Sequence, residues 1–349
     1  MGPNAACSAP QVARRLVLAM TEARLPSDER SPADLAREAE ELAARVRAGE
    51  RRAIARALTE AERQSPLSAA LLRALQKGLG RALVVGFTGP PGAGKSTLVD
   101  AYLRELRRQG KTAGVIAVDP TSPISGGAIL GDRLRMTSTL DNEGVFVRSL
   151  ASRGHLGGLT PAAVRMIDVL DAASFDRIVI ETVGTGQSEM DIAEVTDVRV
   201  VISAPGLGDE IQAMKSGLLE IGDILVVNKA DREGAERTYH QLKAALRMRT
   251  GERATTPVLK TTALTGDGVA ALAEAIEKVG ERRLAAGPQT RRQMRARYLI
   301  ARAAADLIAE QIRQADTEEI DRLADAVLEG SASAREAAVR LMAERLRGR

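Results

Sequence analysis

The sequence predicts an α/β fold built on a mostly parallel sheet. Seven short apolar runs lie between residues 81 and 280, and they alternate with stretches whose apolar residues recur at helical spacing. The runs are ALVVGF, AGVIAVD, GVFVRSL, DRIVIET, VRVVISA, DILVVNK and TPVLKTT. Strands separated by helical crossovers form parallel sheets that carry helices on both faces. The first run also leads into a phosphate-binding motif, which predicts a P-loop NTPase fold.

Helical segments flank this core on both sides. Residues 32–80 are rich in Ala, Arg, Glu and Leu at helical spacing, and such spacing returns after Gly287-Pro288. We therefore predict a loose N-terminal extension (1–31), a helical segment (32–80), a core (81–280) and a helical arm (281–349). The arm cannot bury much surface alone, so we expect it to pack on the core or to form a homodimer. The extension could instead contain one more helix, and Met20 could be the true start.

Composition argues against several classes of protein. The 349 residues carry 50 Lys and Arg against 46 Asp and Glu, a net charge of +4, and aromatic residues make up 2% with no Trp. Mixed charge and few stacking side chains do not indicate nucleic-acid binding. One cysteine, Cys7, and the lack of an apolar segment long enough for a membrane span favour a soluble, cytoplasmic protein that does not bind membranes. The arginines of RRQMRAR (291–297) are expected on a solvated helix face.

The turn between the first strand and the next helix carries the phosphate-binding motif. Residues 86–97 read GFTGPPGAGKST and fit G-x-x-x-x-G-K-[ST] between a strand and a helix. Glycines let backbone N–H groups converge on an anion, and the positive end of the helix dipole adds to the attraction. We expect Lys95 to reach the β- and γ-phosphates and Ser96 to ligate Mg²⁺. The predicted binding residues of this loop are Gly89, Pro90, Pro91, Gly92, Ala93, Gly94, Lys95, Ser96 and Thr97.

A second motif predicts the base of the nucleotide. NKAD, which contains Asn228, Lys229 and Asp231, follows the apolar run ILVV at a strand end, where open α/β sheets bind ligands. The Asp231 carboxylate can accept hydrogen bonds from guanine N1–H and from the exocyclic amine, and adenine supplies neither donor. GTP and GDP are therefore the expected ligands. Candidates for contact with the guanine O6 are the backbone N–H groups of Thr262, Ala263 and Leu264.

Acidic residues at two further strand ends are candidates for a metal site. Asp119 follows VIAV and Glu181 follows DRIVI, so both should lie at the phosphate edge of the sheet, where Mg²⁺ needs oxygen ligands. Gly184 could offer its N–H to the γ-phosphate, so that loss of this phosphate would release the loop behind it. Asp132 could orient the attacking water or cap the helix after it, and both alternatives stay open.

Together these motifs resemble a known family. GFTGPPGAGKST, AVDPTSP with SGGAILGDRLRM, SRGHLGGLT, ETVGTGQSE, PGLGDEIQAMKSGLLEIGD and NKAD are similar to the MeaB and ArgK family of accessory GTPases. The resemblance runs from about Asp34 to Gly280 and implies the signal-recognition and MinD-like branch of P-loop GTPases. It implies a partner, an adenosylcobalamin-dependent acyl-CoA mutase such as methylmalonyl-CoA mutase, whose cofactor loading the protein gates and which it protects or reactivates.

The resemblance also implies roles for particular residues. Asp119, Asp132 and Glu181 fall on the family's magnesium and switch positions, and Ser96 completes the expected metal ligands. Lys215, in DEIQAMKSG, falls on a mobile third switch, although the same residue could be a surface lysine on a helix. With Lys95, Asp132 and Glu181, it makes up the expected catalytic set. The family dimerises through a C-terminal helical arm.

Two other functions stay open from the sequence. An ATP-dependent protein kinase of the ArgK type shares the phosphate loop, and Asp231 is the residue that would discriminate it. A metal-delivery GTPase has a similar fold but needs metal ligands, and this chain offers His155, His240 and Cys7, which are too few and too scattered for a Cys/His site.

Overall fold

A central sheet of seven parallel strands organises the described part of the chain. The computed structural model describes residues 30–63, 65–119, 143–151, 160–182, 188–207, 217–247, 255–313 and 317–347. The strands are β1 (Leu83–Thr88), β2 (Ala113–Asp119), β3 (Val145–Ala151), β4 (Arg177–Glu181), β5 (Val198–Ser203), β6 (Ile224–Val227) and β7 (Val258–Lys260). Their order is β3-β2-β4-β1-β5-β6-β7, and every pairing is parallel. The sequence prediction of seven strands in one mostly parallel sheet is confirmed.

The central strand β1 is covered on both faces. All six of its residues are buried, which suits a run of branched and aromatic side chains between two layers of helices. On one face, Leu83, Val85 and Phe87 belong to a hydrophobic core that also contains side chains of β4, β5 and the helix after β1. Parallel pairing of β1 with β4 and β5 brings the carboxyl ends of these three strands to one edge of the sheet. That edge positions the candidate site.

Helices fill both faces of the sheet and flank it in sequence. They are α1 (Pro32–Arg47), α2 (Arg51–Arg63), α3 (Pro66–Leu75), α4 (Lys95–Arg108), α5 (Pro161–Ala172), α6 (Ser188–Val195), α7 (Leu218–Ile221), α8 (Ala235–Arg247), α9 (Val269–Ala285), α10 (Pro288–Arg313), α11 (Thr317–Leu328) and α12 (Ala334–Arg347). Local sequence explains several starts. Ser31 and Ser65 cap α1 and α3 by accepting a backbone N–H, and each is followed by a proline in the first turn.

The N-terminal helices α1–α3 pack against α5 and the edge strand β3. Arg165 of α5 donates from Nε to the carbonyl of Ala61 over 2.8 Å. Arg148 of β3 forms an ion pair with Glu62 at 2.9 Å. These contacts attach the helical segment to the sheet, and α2 supplies both partners.

Helix α10 begins in a buried polar cluster next to the residues that lead into β1. Arg291 donates to Asp197 Oδ2 at 2.7 Å and to the carbonyl of Ala82 at 3.1 Å, and its side chain is 5% exposed. Asp171 of α5 accepts the backbone N–H groups of residues 80, 81 and 82. The expectation that the RRQMRAR arginines lie on a solvated face is wrong for Arg291 and Arg295, because both are buried and pair with Asp197.

The described residues form two compact units. One comprises Arg30–Tyr298 and holds the sheet; the other contains the helical residues from Leu299 onward. The four-part division drawn from the sequence stays a prediction. Within the described ranges, no helix combines the length and apolar character needed to cross a membrane.

Candidate nucleotide-binding site

The loop between β1 and α4 has a backbone that requires glycine. Gly89, Gly92 and Gly94 have φ angles of 146°, 78° and 85°, all in the region that L side chains rarely adopt. A Cβ on Gly89 would lie 2.1 Å from the carbonyl oxygen of Ile202, so the loop passes directly against β5. The helix begins at Lys95, and Gly94 precedes it in the left-handed conformation. Backbone N–H groups at this helix start suit an anion such as a phosphate.

The Lys95 ammonium lies against the start of the loop. Its Nζ donates to the carbonyls of Gly89 and Pro90 at 2.8 Å and 3.0 Å, and the residue is 8% exposed. These hydrogen bonds keep a buried ammonium satisfied and hold it beside the loop backbone. A phosphate oxygen is a stronger partner for the same group than a neutral carbonyl. The two loop carbonyls therefore hold the lysine beside the predicted phosphate-binding loop.

Candidate oxygen ligands for a metal lie at this edge of the sheet. Ser96 Oγ, in the first turn of α4, donates to Glu181 Oε1 at 2.6 Å. Glu181 ends β4 and pairs in register with Phe87 of β1 and Ala117 of β2, and two residues beyond Ala117 stands Asp119. Both acids are buried, at 3% and 1% exposure. A hydroxyl and two carboxylates at one sheet edge are hard oxygen donors of the kind that Mg²⁺ takes, so these residues fit the metal.

Three predicted site residues lie outside the described residues. They are Asp132, Gly184 and Lys215. Their roles as water-orienting or metal residue, γ-phosphate donor and third-switch residue stay predictions.

Asn228 joins the base motif to the phosphate loop. Its Nδ2 donates to the carbonyl of Ala93 at 2.9 Å. Its Oδ1 accepts from the Thr261 hydroxyl at 3.1 Å and from the Ala263 N–H at 3.2 Å. Asn228 is 1% exposed, so these bonds satisfy a buried amide and fix three segments relative to one another. Thr261 was missed by sequence reasoning, although its place just after β7 and before Thr262 is a usable signal.

Lys229 makes a further contact with the phosphate loop. It has φ of 56°, unusual for a residue other than glycine, and its Nζ donates to the carbonyl of Gly92 at 2.6 Å. The base motif and the loop are thus linked through two successive side chains.

Asp231 is exposed, so its carboxylate is accessible to a ligand. The N–H of Ala230 donates to the carbonyl of Thr261 at 3.0 Å, so the NKAD segment and the segment after β7 lie side by side. In that second segment, Thr262 donates its N–H to the carbonyl of Asp267 at 2.9 Å, while the Leu264 side chain is 82% exposed. Because the Ala263 N–H donates to Asn228, the N–H groups of Thr262 and Ala263 both have protein acceptors.

A pair of buried hydroxyls beneath the site was also missed. Thr182 donates from Oγ1 to Thr88 Oγ1 at 3.2 Å, and its N–H donates to the carbonyl of Phe87 at 3.2 Å. The end of β4 is thereby attached to the strand that leads into the phosphate loop. A lone threonine after an acid gives no sequence signal for such a contact.

Comparison with known proteins identifies relatives along most of the chain. The family model described as methylmalonyl-CoA mutase-associated GTPase MeaB matches residues 54–317. A Pyrococcus horikoshii protein named as a GTPase is 48% identical over 245 residues, which cover 68% of this chain and 77% of that protein. GTPase ArgK of Escherichia coli is 44% identical over 54% of this chain and 58% of its own length.

Two further likenesses extend the comparison. The methylmalonic aciduria type A homolog of Mus musculus, a mitochondrial protein, is 36% identical over 58% of this chain and 50% of its own length. The crystal structure of an LAO/AO transport system kinase superposes with a TM-score of 0.69 and 28% identity, and the match covers 90% of this chain and 98% of that one. The family match, the relatives and the shared fold show that this chain belongs to the MeaB family of GTPases, which are P-loop hydrolases.

Proposed function

We propose that this protein binds GTP with Mg²⁺ at the β1–α4 loop and uses its hydrolysis to serve an adenosylcobalamin-dependent acyl-CoA mutase, methylmalonyl-CoA mutase or a relative. It gates cofactor loading and protects or reactivates the mutase. The observation that carries the chemistry is the hydrogen bond from Ser96 to Glu181 at 2.6 Å beside a glycine-rich loop. The partner is supported by the family's description as mutase-associated and by the name of the mouse relative.

The residues of the site divide the work of hydrolysis. Lys95 leaves the carbonyls of Gly89 and Pro90 for the β- and γ-phosphate oxygens. Because the side chain is buried, its attraction to the phosphate charge is stronger than it would be in water. Ser96, Glu181 and Asp119 would hold Mg²⁺ directly or through water. When bound, it would supply positive charge that offsets the negative charge of the phosphates. No side chain attacks the phosphorus, so no covalent intermediate forms.

Guanine selectivity depends on Asp231 and on the segment after β7. Asp231 accepts from guanine N1–H and the exocyclic amine, and its exposed position leaves the carboxylate accessible. Leu264, which is 82% exposed, offers the base an apolar contact, and its N–H is the candidate donor to O6, because the N–H groups of Thr262 and Ala263 donate to protein acceptors. Because Asn228 binds both Ala93 and Ala263, it fixes the position of the phosphate loop relative to the segment after β7.

The partner is tested by measuring GTP hydrolysis with and without purified candidate mutases. We expect hydrolysis by the isolated chain to be slow and to rise at least about tenfold with the true partner, as positioning groups supplied in trans do in other GTPases. Co-purification of that mutase in the presence of a non-hydrolysable GTP analogue should accompany the rise. The Asp231→Ala chain with the same mutase serves as the control. Equal rates with and without each candidate would contradict the proposal.

A kinase is the second candidate, because the relative of known structure carries that name. It would transfer the γ-phosphate to a protein hydroxyl instead of water. Incubation with radiolabelled GTP and ATP separates the two: label released as inorganic phosphate supports the GTPase, and label retained on protein supports the kinase.

The helical residues beyond the sheet are proposed to form a homodimer. Ile300, Leu328 and Val339 are 70%, 84% and 59% exposed on α10, α11 and α12. Large apolar side chains on helices favour burial against another surface. Analytical ultracentrifugation at micromolar concentration should give a dimer, and a monomer there would end the proposal.

A further inference from the structure

The two residues that flank the phosphate loop are each bonded to the end of β4. Thr88 is the last residue of β1, and Ser96 lies in the first turn of α4. Ser96 Oγ donates to Glu181 Oε1 at 2.6 Å, and the next residue, Thr182, donates from Oγ1 to Thr88 Oγ1 at 3.2 Å. Two consecutive residues therefore contact both ends of the loop.

The Ser96 contact lies on the α4 face of the sheet. Phe87 and Glu181 are register partners, and side chains in register on parallel strands point to the same face. The Phe87 ring packs against Tyr102 of α4, with 5.4 Å between ring centroids. Glu181 therefore points toward α4, where it meets Ser96.

The Thr88 contact lies on the opposite face. Successive side chains of a strand alternate between faces, so Thr88 shares a face with Gly86, where a Cβ would lie 2.6 Å from Ile192 of α6. Thr182 continues the pairing of β4 with β1, because its N–H donates to the carbonyl of Phe87 at 3.2 Å. The end of β4 is thus bonded to the two flanks of the phosphate loop from both faces of the sheet.

Both hydroxyls of the threonine pair are buried. Thr88 and Thr182 are 0% and 1% exposed, so bulk water does not replace either partner. A buried hydroxyl that loses its partner is unfavourable, and the pair therefore favours one separation between the ends of β1 and β4. This contact adds to the backbone bonds of the ladder, whose last registered pair joins Phe87 to Glu181.

The position of the β4 end matters for a bound cation. Ser96 and Glu181 are candidate ligands of Mg²⁺, which demands near-ideal octahedral geometry with oxygen ligands at about 2.0–2.1 Å. A hydrogen bond between a hydroxyl and a carboxylate tolerates a wider range of distances. A small displacement of Glu181 relative to the loop would therefore weaken cation binding more than it weakens the Ser96 contact.

We propose that Thr182 is a positioning residue for the Mg²⁺ of the nucleotide, acting through its hydrogen bond with Thr88 to hold the Glu181 carboxylate at a fixed place beside the phosphate loop. The inference rests on the proposed function, because the position of Glu181 matters only if a nucleotide and a cation occupy the site. In this role Thr182 acts through its two neighbours and needs no contact of its own with the nucleotide.

The test compares Thr182→Val with the unchanged full-length chain in complex with GDP. Valine keeps the shape of threonine and removes the hydroxyl. We expect the Mg²⁺ affinity of the GDP complex, measured by isothermal titration, to fall about fivefold, as the loss of one ordinary hydrogen bond gives. GDP affinity in EDTA should change less than twofold, because backbone N–H groups of the loop, and not Glu181, contact the phosphates. By linkage, the gain in GDP affinity on adding Mg²⁺ should fall by the same factor as the Mg²⁺ affinity.

Further variants separate positioning from a general loss of stability. Thr182→Ser keeps the hydroxyl and should retain the Mg²⁺ affinity of the parent. Thr88→Val should lower that affinity as Thr182→Val does, and the double variant should lower it no further, because both changes remove the same contact. Thr238→Val on α8 is the matched control, since it removes a buried hydroxyl that donates to the carbonyl of Gly234 at 3.2 Å.

Three results would overturn the inference: unchanged Mg²⁺ affinity in Thr182→Val, an equal loss in Thr182→Ser, or additive losses in the double variant. Should Thr182→Val fail to fold, the double variant, which leaves neither hydroxyl of the pair without its partner, gives the same comparison with the parent. A parent chain that binds neither GDP nor a GTP analogue would instead refute the proposed function.

Discussion

The Ser96 hydroxyl and the Glu181 carboxylate are joined by a 2.6 Å hydrogen bond that links the first turn of α4 to the end of β4. Ser96 is 7% exposed and Glu181 is 3% exposed, so neither group relies on bulk water for its partner. The short distance places a hydroxyl oxygen and a carboxylate oxygen where one cation could contact both, directly or through water. Hydrolysis should therefore depend on both residues and on Mg²⁺ together.

Ser96→Ala should lower the rate of GTP hydrolysis about 100-fold, because alanine removes a metal-binding oxygen and leaves the Glu181 carboxylate without its donor. Glu181→Gln should raise the Mg²⁺ concentration for half-maximal activity about tenfold, since an amide binds the cation less strongly than a carboxylate. Both are measured by steady-state phosphate release over a magnesium titration. Ser96→Thr, which keeps the hydroxyl, is the control and should retain most activity. Activity of Ser96→Ala equal to that of Ser96→Thr would exclude the assigned role.

The strands were predictable because a strand covered on both faces must be apolar along its length. Every residue of β1 and β2 is buried, and both sequences are apolar up to their last residues, Thr88 and Asp119. The strand order was not predictable in the same way. Val85 of β1 pairs with Val179 of β4 and Val198 of β5. These side chains are too similar for the sequence to indicate which strands are neighbours.

Residues whose chemistry is specific were found at the site, and residues that act through a distant partner were not. Ser96 was predicted from the phosphate-loop motif and Glu181 from its position at a strand end, and the structure brings them together. Arg291 was expected in solvent, yet it pairs with Asp197, 94 residues away in sequence. An arginine within a polar helical stretch looks the same in sequence whether or not a buried acid faces it.

Asp231→Ala should weaken GTP binding at least about 100-fold, because the two donors of the guanine edge lose their acceptor. Asp231→Asn should instead favour xanthosine triphosphate, since xanthine carries a carbonyl in place of the exocyclic amine and the asparagine amide can donate to it. Isothermal titration with the two nucleotides measures both effects. Glu233→Gln, an exposed change two residues away, should bind GTP as the unchanged chain does. Undiminished GTP affinity in Asp231→Ala would return the kinase candidate to first place.

Gly89→Ala should destabilise the protein by about 3 kcal/mol and abolish nucleotide binding, because a Cβ there would lie 2.1 Å from the Ile202 carbonyl oxygen, so the backbone must shift. Gly92→Ala is the matched comparison within the same loop. Its φ of 78° is unfavourable for alanine, but the nearest atom to its Cβ is 3.8 Å away, so about 1 kcal/mol is expected. Urea unfolding followed by circular dichroism gives both values. Equal losses would show that backbone conformation, and not contact with β5, demands glycine at residue 89.

The carboxyl group of Asp168 on α5 is largely buried, which disfavours its charged form. Burial raises its pKa to about 6, although Arg295 and Arg292 lower it and Asp171 raises it further. A folded-state pKa above the ordinary value of 3.8 means that the folded protein binds more protons than the unfolded chain between about pH 4 and pH 6. The contribution of Asp168 to stability is therefore present below pH 4 and is lost as the pH rises through 6.

Asp168→Asn should consequently stabilise the protein at pH 7 and change little at pH 4, because the neutral amide resembles the protonated acid. The shift in pKa corresponds to about 2 kcal/mol at pH 7 after allowance for the partial exposure of the side chain. Urea midpoints at the two pH values measure it, with the exposed Glu40→Gln as control for a lost surface charge. A variant less stable than the parent at pH 7 would show that the attraction of Asp168 to Arg292 and Arg295 outweighs the cost of its burial.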